Sequence, residues 1–211
     1  MSSGKLLNKL QTLSRSPGPG PSPVFSYIHL CRALLTIGDE GPLGRIELSR
    51  KLSLGEGAVR TIMRRLTQAE LITTVKDGSA LTKRGYVLHS QLRRKLSKTF
   101  LIDAKQLALN KISASVLVRG SGHLVKKGIE QRDAAIRAGA TGACTLVVRQ
   151  RKYVMPMADD EEWRLDSKDP LAQDLENAFH PKENDVVTII SAPNRGLAEN
   201  GAMAAAMTLL D

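Results

Sequence analysis

The stretch from Arg45 to Tyr86, RIELSRKLSLGEGAVRTIMRRLTQAELITTVKDGSALTKRGY, constrains this chain more than any other. Within it Val59, Ile62, Met63 and Leu66 recur at helical spacing and make one apolar face, which must be buried. Arg60, Thr61, Arg64 and Arg65 occupy the opposite face, and Arg60 and Arg64, four residues apart, project side by side. Just upstream, residues 44–52 read as a short helix burying Ile46 and Leu52, followed by the tight turn SLGEG. Downstream, residues 73–82 read as a small hairpin, with Asp77-Gly78 as its two-residue turn signal. An earlier helix is expected over 24–37, stopped by Gly38 and Gly41-Pro42, and a closing helix over 83–98 with Leu88, Leu92 and Leu96 at steps of four. The Leu stripe fits either a dimer surface or packing within its own domain.

Charge separates this region from the rest. Residues 1–100 hold 17 Lys and Arg against 6 Asp and Glu, whereas residues 101–211 hold 14 against 15. A basic surface kept for solubility has no reason to be confined to one half, so the first half is expected to meet a polyanion. Ahead of it, residues 1–23 read as an arm, with a short amphipathic helix over 4–14 and the linker SPGPGPSP. Cys31 and Cys144 lie far apart in apolar stretches and read as two buried thiols. The four histidines (His29, His89, His123, His180) make no zinc-ligand spacing, so no metal and no cofactor are expected. No apolar run approaches a membrane span and no signal peptide is visible; a cytoplasmic protein is expected.

After residue 100 the pattern changes. Strands are expected at 112–120, within 142–156 as a pair joined by a turn at Gln150-Arg151, and at 185–192. Helices are expected at 128–139, at 169–179 with Asp169 as N-cap and Pro170 in first position, and at 195–210. Residues 158–169 read as an acidic loop. The resulting order, β-α-β-β-α-β-α, implies a two-layer α+β domain with helices on one face of the sheet. Glycines cluster at Gly120-Ser121-Gly122 and Gly139-Ala140-Thr141-Gly142. Val125 stands where a dinucleotide fingerprint needs its third glycine, so these are either turns or the rim of a small-molecule pocket. Arg119, Gly122, Thr141, Asn194 and Arg195 are the candidate ligand residues, Asn194 being equally suited to a helix N-cap. No nucleophile–base–orienter set is visible and no catalytic activity is expected.

Residues 45–86 resemble the winged helix-turn-helix of bacterial and archaeal transcription regulators. The resemblance rests on Leu52, Leu54, Val59, Arg60, Met63, Leu66, Leu71, Ile72, Leu81, Thr82 and Gly85. The whole chain further resembles uncharacterised archaeal proteins with a winged helix and a C-terminal domain of unknown function, through RDAAIRAGATGACTLVV at 132–148. The resemblance implies a domain at 24–100 that reads duplex DNA, and a domain at 101–211 that binds an effector or mediates dimerisation. DNA contacts are then expected from Glu56, Gly57, Arg60, Thr61, Arg64 and Arg65 on the second helix of the motif. Lys76 on the wing and Lys83 and Arg84 behind it complete the set. Winged helices also bind structured RNA or partner proteins, and that alternative stays open.

Overall fold

A computed structural model describes residues 10–15, 23–105, 107, 112–157 and 161–210. The chain divides into two compact units, the first reaching Arg93 and the second running from Arg94 to Leu210. The division falls after Arg93 rather than after residue 100, because residues 94–102 belong to the second unit. There Leu96 bridges to Val118 and Phe100–Ile102 pairs with a strand.

The first unit contains helices α1 (Tyr27–Glu40), α2 (Arg45–Leu52) and α3 (Glu56–Gln68), strands β1 (Ile72–Val75) and β2 (Gly78–Leu81), and helix α4, Lys83–Lys95, whose last two residues fall in the second unit. Helix α1 starts three residues later than its apolar spacing suggests, since the Ser26 amide donates to His29 Nδ1 at 3.1 Å and closes the first turn. It also runs through Gly38, where a stop is expected: a Cβ there would collide with the His89 ring, so glycine serves close packing. Gly41, with φ of 94°, ends the helix instead.

The core of this unit is aliphatic, built from Leu30, Leu34, Leu48, Leu52, Val59, Ile62, Leu66, Leu71 and Leu92, all 2% exposed or less. Ile46, expected inside, is 55% exposed; Leu48 takes its place beside Leu52. The hairpin turns on Lys76 and Asp77, with Val75 opposite Gly78, one residue earlier than the Asp77-Gly78 signal. Gly78 opens β2 at φ 136° and passes so close to the Leu43 backbone that no side chain fits. Leu43 and Ser79 exchange both backbone hydrogen bonds, at 3.1 and 2.9 Å, so the hairpin is tied to the segment between α1 and α2. The Leu-Thr-x-x-Gly pattern has a mechanical basis. The Thr82 hydroxyl accepts from the Gly85 amide at 3.0 Å, and Gly85 lies against the Leu71 carbonyl where a Cβ would clash. The stripe of Leu88, Leu92 and Leu96 is buried within the chain, which removes it as a dimer surface.

The second unit is a six-stranded sheet. Its strands are β3 (Phe100–Ile102), β4 (Ile112–Val118), β5 (Gly142–Arg149), β6 (Lys152–Pro156), β7 (Glu162–Arg164) and β8 (Val186–Ala192), in the spatial order β3-β4-β8-β5-β6-β7, with every pairing antiparallel. Helices α5 (Ile129–Arg137), α6 (Pro170–Phe179) and α7 (Arg195–Met207) complete it. Strands β3 and β7 are absent from the expected order, and β7 occupies part of the supposed acidic loop; residues 158–160 of that loop lie outside the described residues.

The helices cover both faces, not one. Leu117, Cys144, Leu146, Val148, Val187 and Ile189 alternate onto the face that packs against Leu171, Leu175 and Phe179 of α6. The opposite face receives α5 and α7: Gly201 of α7 sits over Ile190, and Gly128, just before α5, over Thr145. Both cysteines are free and buried, and burial pushes each thiol up to about 12.

Candidate nucleic-acid interface

Helix α3 is held by Val59, Ile62 and Leu66, which are buried, with Met63 half-buried beside them. That anchorage turns Arg60 and Arg64 outward, both exposed and without a hydrogen-bond or ion-pair partner among the described residues. The spacing of four keeps the two guanidinium groups on one line along the helix. Thr61 is half-buried and its hydroxyl donates back to the Gly57 carbonyl at 3.2 Å.

Arg65 departs from this row. Its Nη1 donates to the Leu13 carbonyl at 2.8 Å, and its guanidinium lies 5.0 Å from the centroid of the Phe25 ring. Burial, then the charge of Arg64, lowers its pKa. It fastens the residues ahead of α1 to α3 and is not available on the outer face. Periodicity cannot separate Arg64 from Arg65; the partner Leu13 lies 52 residues away.

Glu56 opens α3 and pairs with Arg45 Nε at 3.1 Å, both side chains about half exposed. Arg45 escapes sequence reasoning because eleven residues separate the two and no periodic pattern links them. With Gly44, Glu47 and Arg50 it lines a shallow groove of about 500 Å³ at the start of α2. Gly44, Gly55 and Gly57 have open space where a Cβ would stand, and none has a positive φ. At the hairpin tip Lys76 is exposed, and so is Lys83 at the start of α4. Arg84 is exposed too but pairs with Glu70 at 2.9 Å, so its charge is already countered.

The five candidate ligand residues do not converge. Arg119 and Gly122 lie at the end of the sheet where β8 begins, and Thr141, Asn194 and Arg195 at the end where it finishes. Six residue steps of β8, about 20 Å, separate them. Each has local work: the Gly122 amide donates to the Asn184 carbonyl at 2.8 Å, and the Thr141 amide to the Ser191 carbonyl at 2.9 Å. Asn194 caps α7 by accepting from the Leu197 amide at 2.9 Å, and Arg195 pairs with Glu199 at 2.7 Å. Arg119 is exposed, and its amide donates to the Lys95 carbonyl at 2.8 Å. Among the described residues no group of three or more His, Cys, Asp or Glu is placed to hold a metal ion. No described helix is long and apolar enough to cross a membrane.

Comparison with known proteins divides the chain along similar lines. Residues 34–87 match the family described as the PH0730-like N-terminal domain, and residues 109–209 match a domain of unknown function, DUF4443. Among solved structures, the hypothetical protein PH0730 from Pyrococcus horikoshii OT3 is similar at 26% identity, with a TM-score of 0.71 over 88% of this chain and 92% of that one. A MarR family protein from Mycobacterium tuberculosis overlaps at 21% identity over 43% of this chain and 64% of its own, with a TM-score of 0.30, too low to bear on fold or function. No curated protein matches the chain.

Proposed function

We propose that the first unit is a winged helix-turn-helix that binds duplex DNA, and that the protein is a transcription regulator rather than an enzyme. The observation that carries this is the exposed Arg60–Arg64 row, unpaired among the described residues, on a helix whose other face is anchored by Val59, Ile62 and Leu66. A helix presenting such a row fits a major groove, where arginine bonds guanine N7 and O6 in a bidentate way. Lys76 at the hairpin tip suits a phosphate or minor-groove contact, and Lys83 a phosphate contact. Glu56, held by Arg45, opposes indiscriminate phosphate attraction and accepts from a cytosine amine. The second unit then senses a ligand or joins two copies.

The test is fluorescence anisotropy of the full chain with duplex DNA from upstream of its own gene, scrambled duplex DNA and double-stranded RNA across a salt series. Preference for the upstream duplex is expected, and Arg60→Ala/Arg64→Ala should weaken it about 30-fold or more, at about 1–3 kcal/mol per bidentate contact. Equal, salt-driven binding to every duplex removes sequence reading. Binding to RNA alone, or to neither, moves the function to an RNA-associated or protein-interaction module.

A further inference from the structure

In the second unit a cleft of about 330 Å³ opens between β6, α6 and the loop that follows β7. Its floor is apolar: Tyr153, Leu165 and Ala172 line it, and each is 7% exposed or less. Its rim is charged with both signs. Arg151 and Lys152 come from the β5–β6 turn and Glu176 from α6, and none of the three forms an ion pair among the described residues. The size lies at the low end for small-molecule sites, roughly 300–1,000 Å³.

Two further features fit a ligand here. Gln150 and Arg151 both adopt left-handed backbone, at φ 51° and 61°, in a tight turn that Asn and Gly usually supply. The Gln150 amide donates to Glu183 at 2.9 Å and braces this turn, which presents Arg151 and Lys152 at the mouth of the cleft. At the floor, the Tyr153 hydroxyl is buried beside the Glu176 carboxylate. Burial, then the charge of Glu176 and a hydrogen bond to its carboxylate, raise the phenol pKa, so the phenol stays protonated behind Glu176.

We propose that this cleft binds a small zwitterion of the α-amino acid class. Arg151 and Lys152 receive its carboxylate, and Glu176, backed by the Tyr153 hydroxyl, its ammonium group. Leu165 and Ala172 accommodate an aliphatic side chain. An anion alone would leave Glu176 facing it without compensation, and an amine alone would leave the two cations unused.

Thermal unfolding of the full chain in about 10 mM of each standard amino acid tests this. At least one aliphatic amino acid should raise the midpoint by about 3 °C or more. Glu176→Gln and Arg151→Asn should each abolish the shift; both sites are exposed, and asparagine tolerates the left-handed turn. Tyr153→Phe, which removes the hydroxyl behind Glu176, should weaken the shift. The N-acetylated form of the active amino acid should have no effect. The proposal is overturned if no amino acid shifts the midpoint, if the shift survives Glu176→Gln, or if the N-acetylated form works equally well.

Discussion

Helices α3 and α7 are both thirteen residues long, yet they solve opposite problems. In α3 three residues are buried, and Arg60 and Arg64 carry their charges outward; in α7 eleven are buried, most of them Ala, Gly or Met. The first helix is fixed by a narrow apolar edge and leaves the side chains of Arg60 and Arg64 in solvent. The second gives up side-chain volume to lie close on a sheet: at Gly201 a Cβ would stand 2.7 Å from Ile190 Cγ2 and 3.1 Å from the Ala140 Cβ. Small residues are therefore structural in one helix and dispensable to the fold in the other. The same glycine has opposite meaning depending on what faces it.

Substitution separates the two cases. The largest expected effect is at the sheet: Gly201→Val should destabilise the second unit by about 1–3 kcal/mol through overpacking. Urea unfolding followed by Trp163, the single tryptophan, reports on that unit. An unchanged midpoint would mean that α7 is free to move away from Ile190.

A second effect, of the order of 1–3 kcal/mol, sets the first unit apart by pH. Burial, then the Arg32 charge, lowers the His29 pKa from 6.5 to about 4. The unfolded chain takes up this proton near pH 6.5 and the folded chain does not, so the stabilisation is full above pH 6.5 and disappears as pH falls towards 4. Hydrogen exchange of α1 amides between pH 7.5 and 4.5 should show it, and His29→Gln should flatten the profile. Asp39 adds nothing in that window. Burial raises its pKa, but hydrogen bonds from Arg93 and His89 outweigh this and hold it below the usual carboxylate value of 3.8. Its contribution is lost only at lower pH.

The smallest effect is the most diagnostic of the contrast. Gly57→Ala in α3 meets open space and an ordinary helical backbone, so it should stabilise the first unit by up to about 1 kcal/mol. Thermal unfolding checks the sign, and a loss of stability would show that Gly57 serves the fold.

Much of the first unit was legible from residue types because its instructions are local. Val59, Ile62 and Leu66 lie within two helical turns, and Thr82 caps a helix three residues before Gly85. What escaped depends on distance in the chain. Arg65 looks identical to Arg64 until Leu13 and Phe25 are folded against it, and Arg45 finds Glu56 only when α2 and α3 meet. Strands β3 and β7 are three residues each, too short for alternation to register. The layering is not legible because an apolar helix edge does not say which face of a sheet it meets; only strand register shows which one Leu171 and Phe179 cover. The charge asymmetry also softens once residues 94–100 join the second unit: residues 1–93 hold 14 basic side chains against 6 acidic, and residues 94–211 hold 17 against 15. The candidate ligand residues fall into two groups for a simpler reason: glycine clusters mark turns at both ends of the sheet, with Arg119 and Gly122 at one end and Thr141, Asn194 and Arg195 at the other.

Strand β8 sits between β4 and β5, pairing with both along nearly its full length. Synthesis therefore delivers the two neighbours long before the strand that joins them, and the emerging polypeptide carries two apolar strands whose inner edges have no native partner until residue 192 has been made. During that interval the second unit is a template for wrong pairing with other chains, while the first unit is already complete on the ribosome. A sheet closed by its last strand assembles slowly, and that delay exposes the growing chain to aggregation.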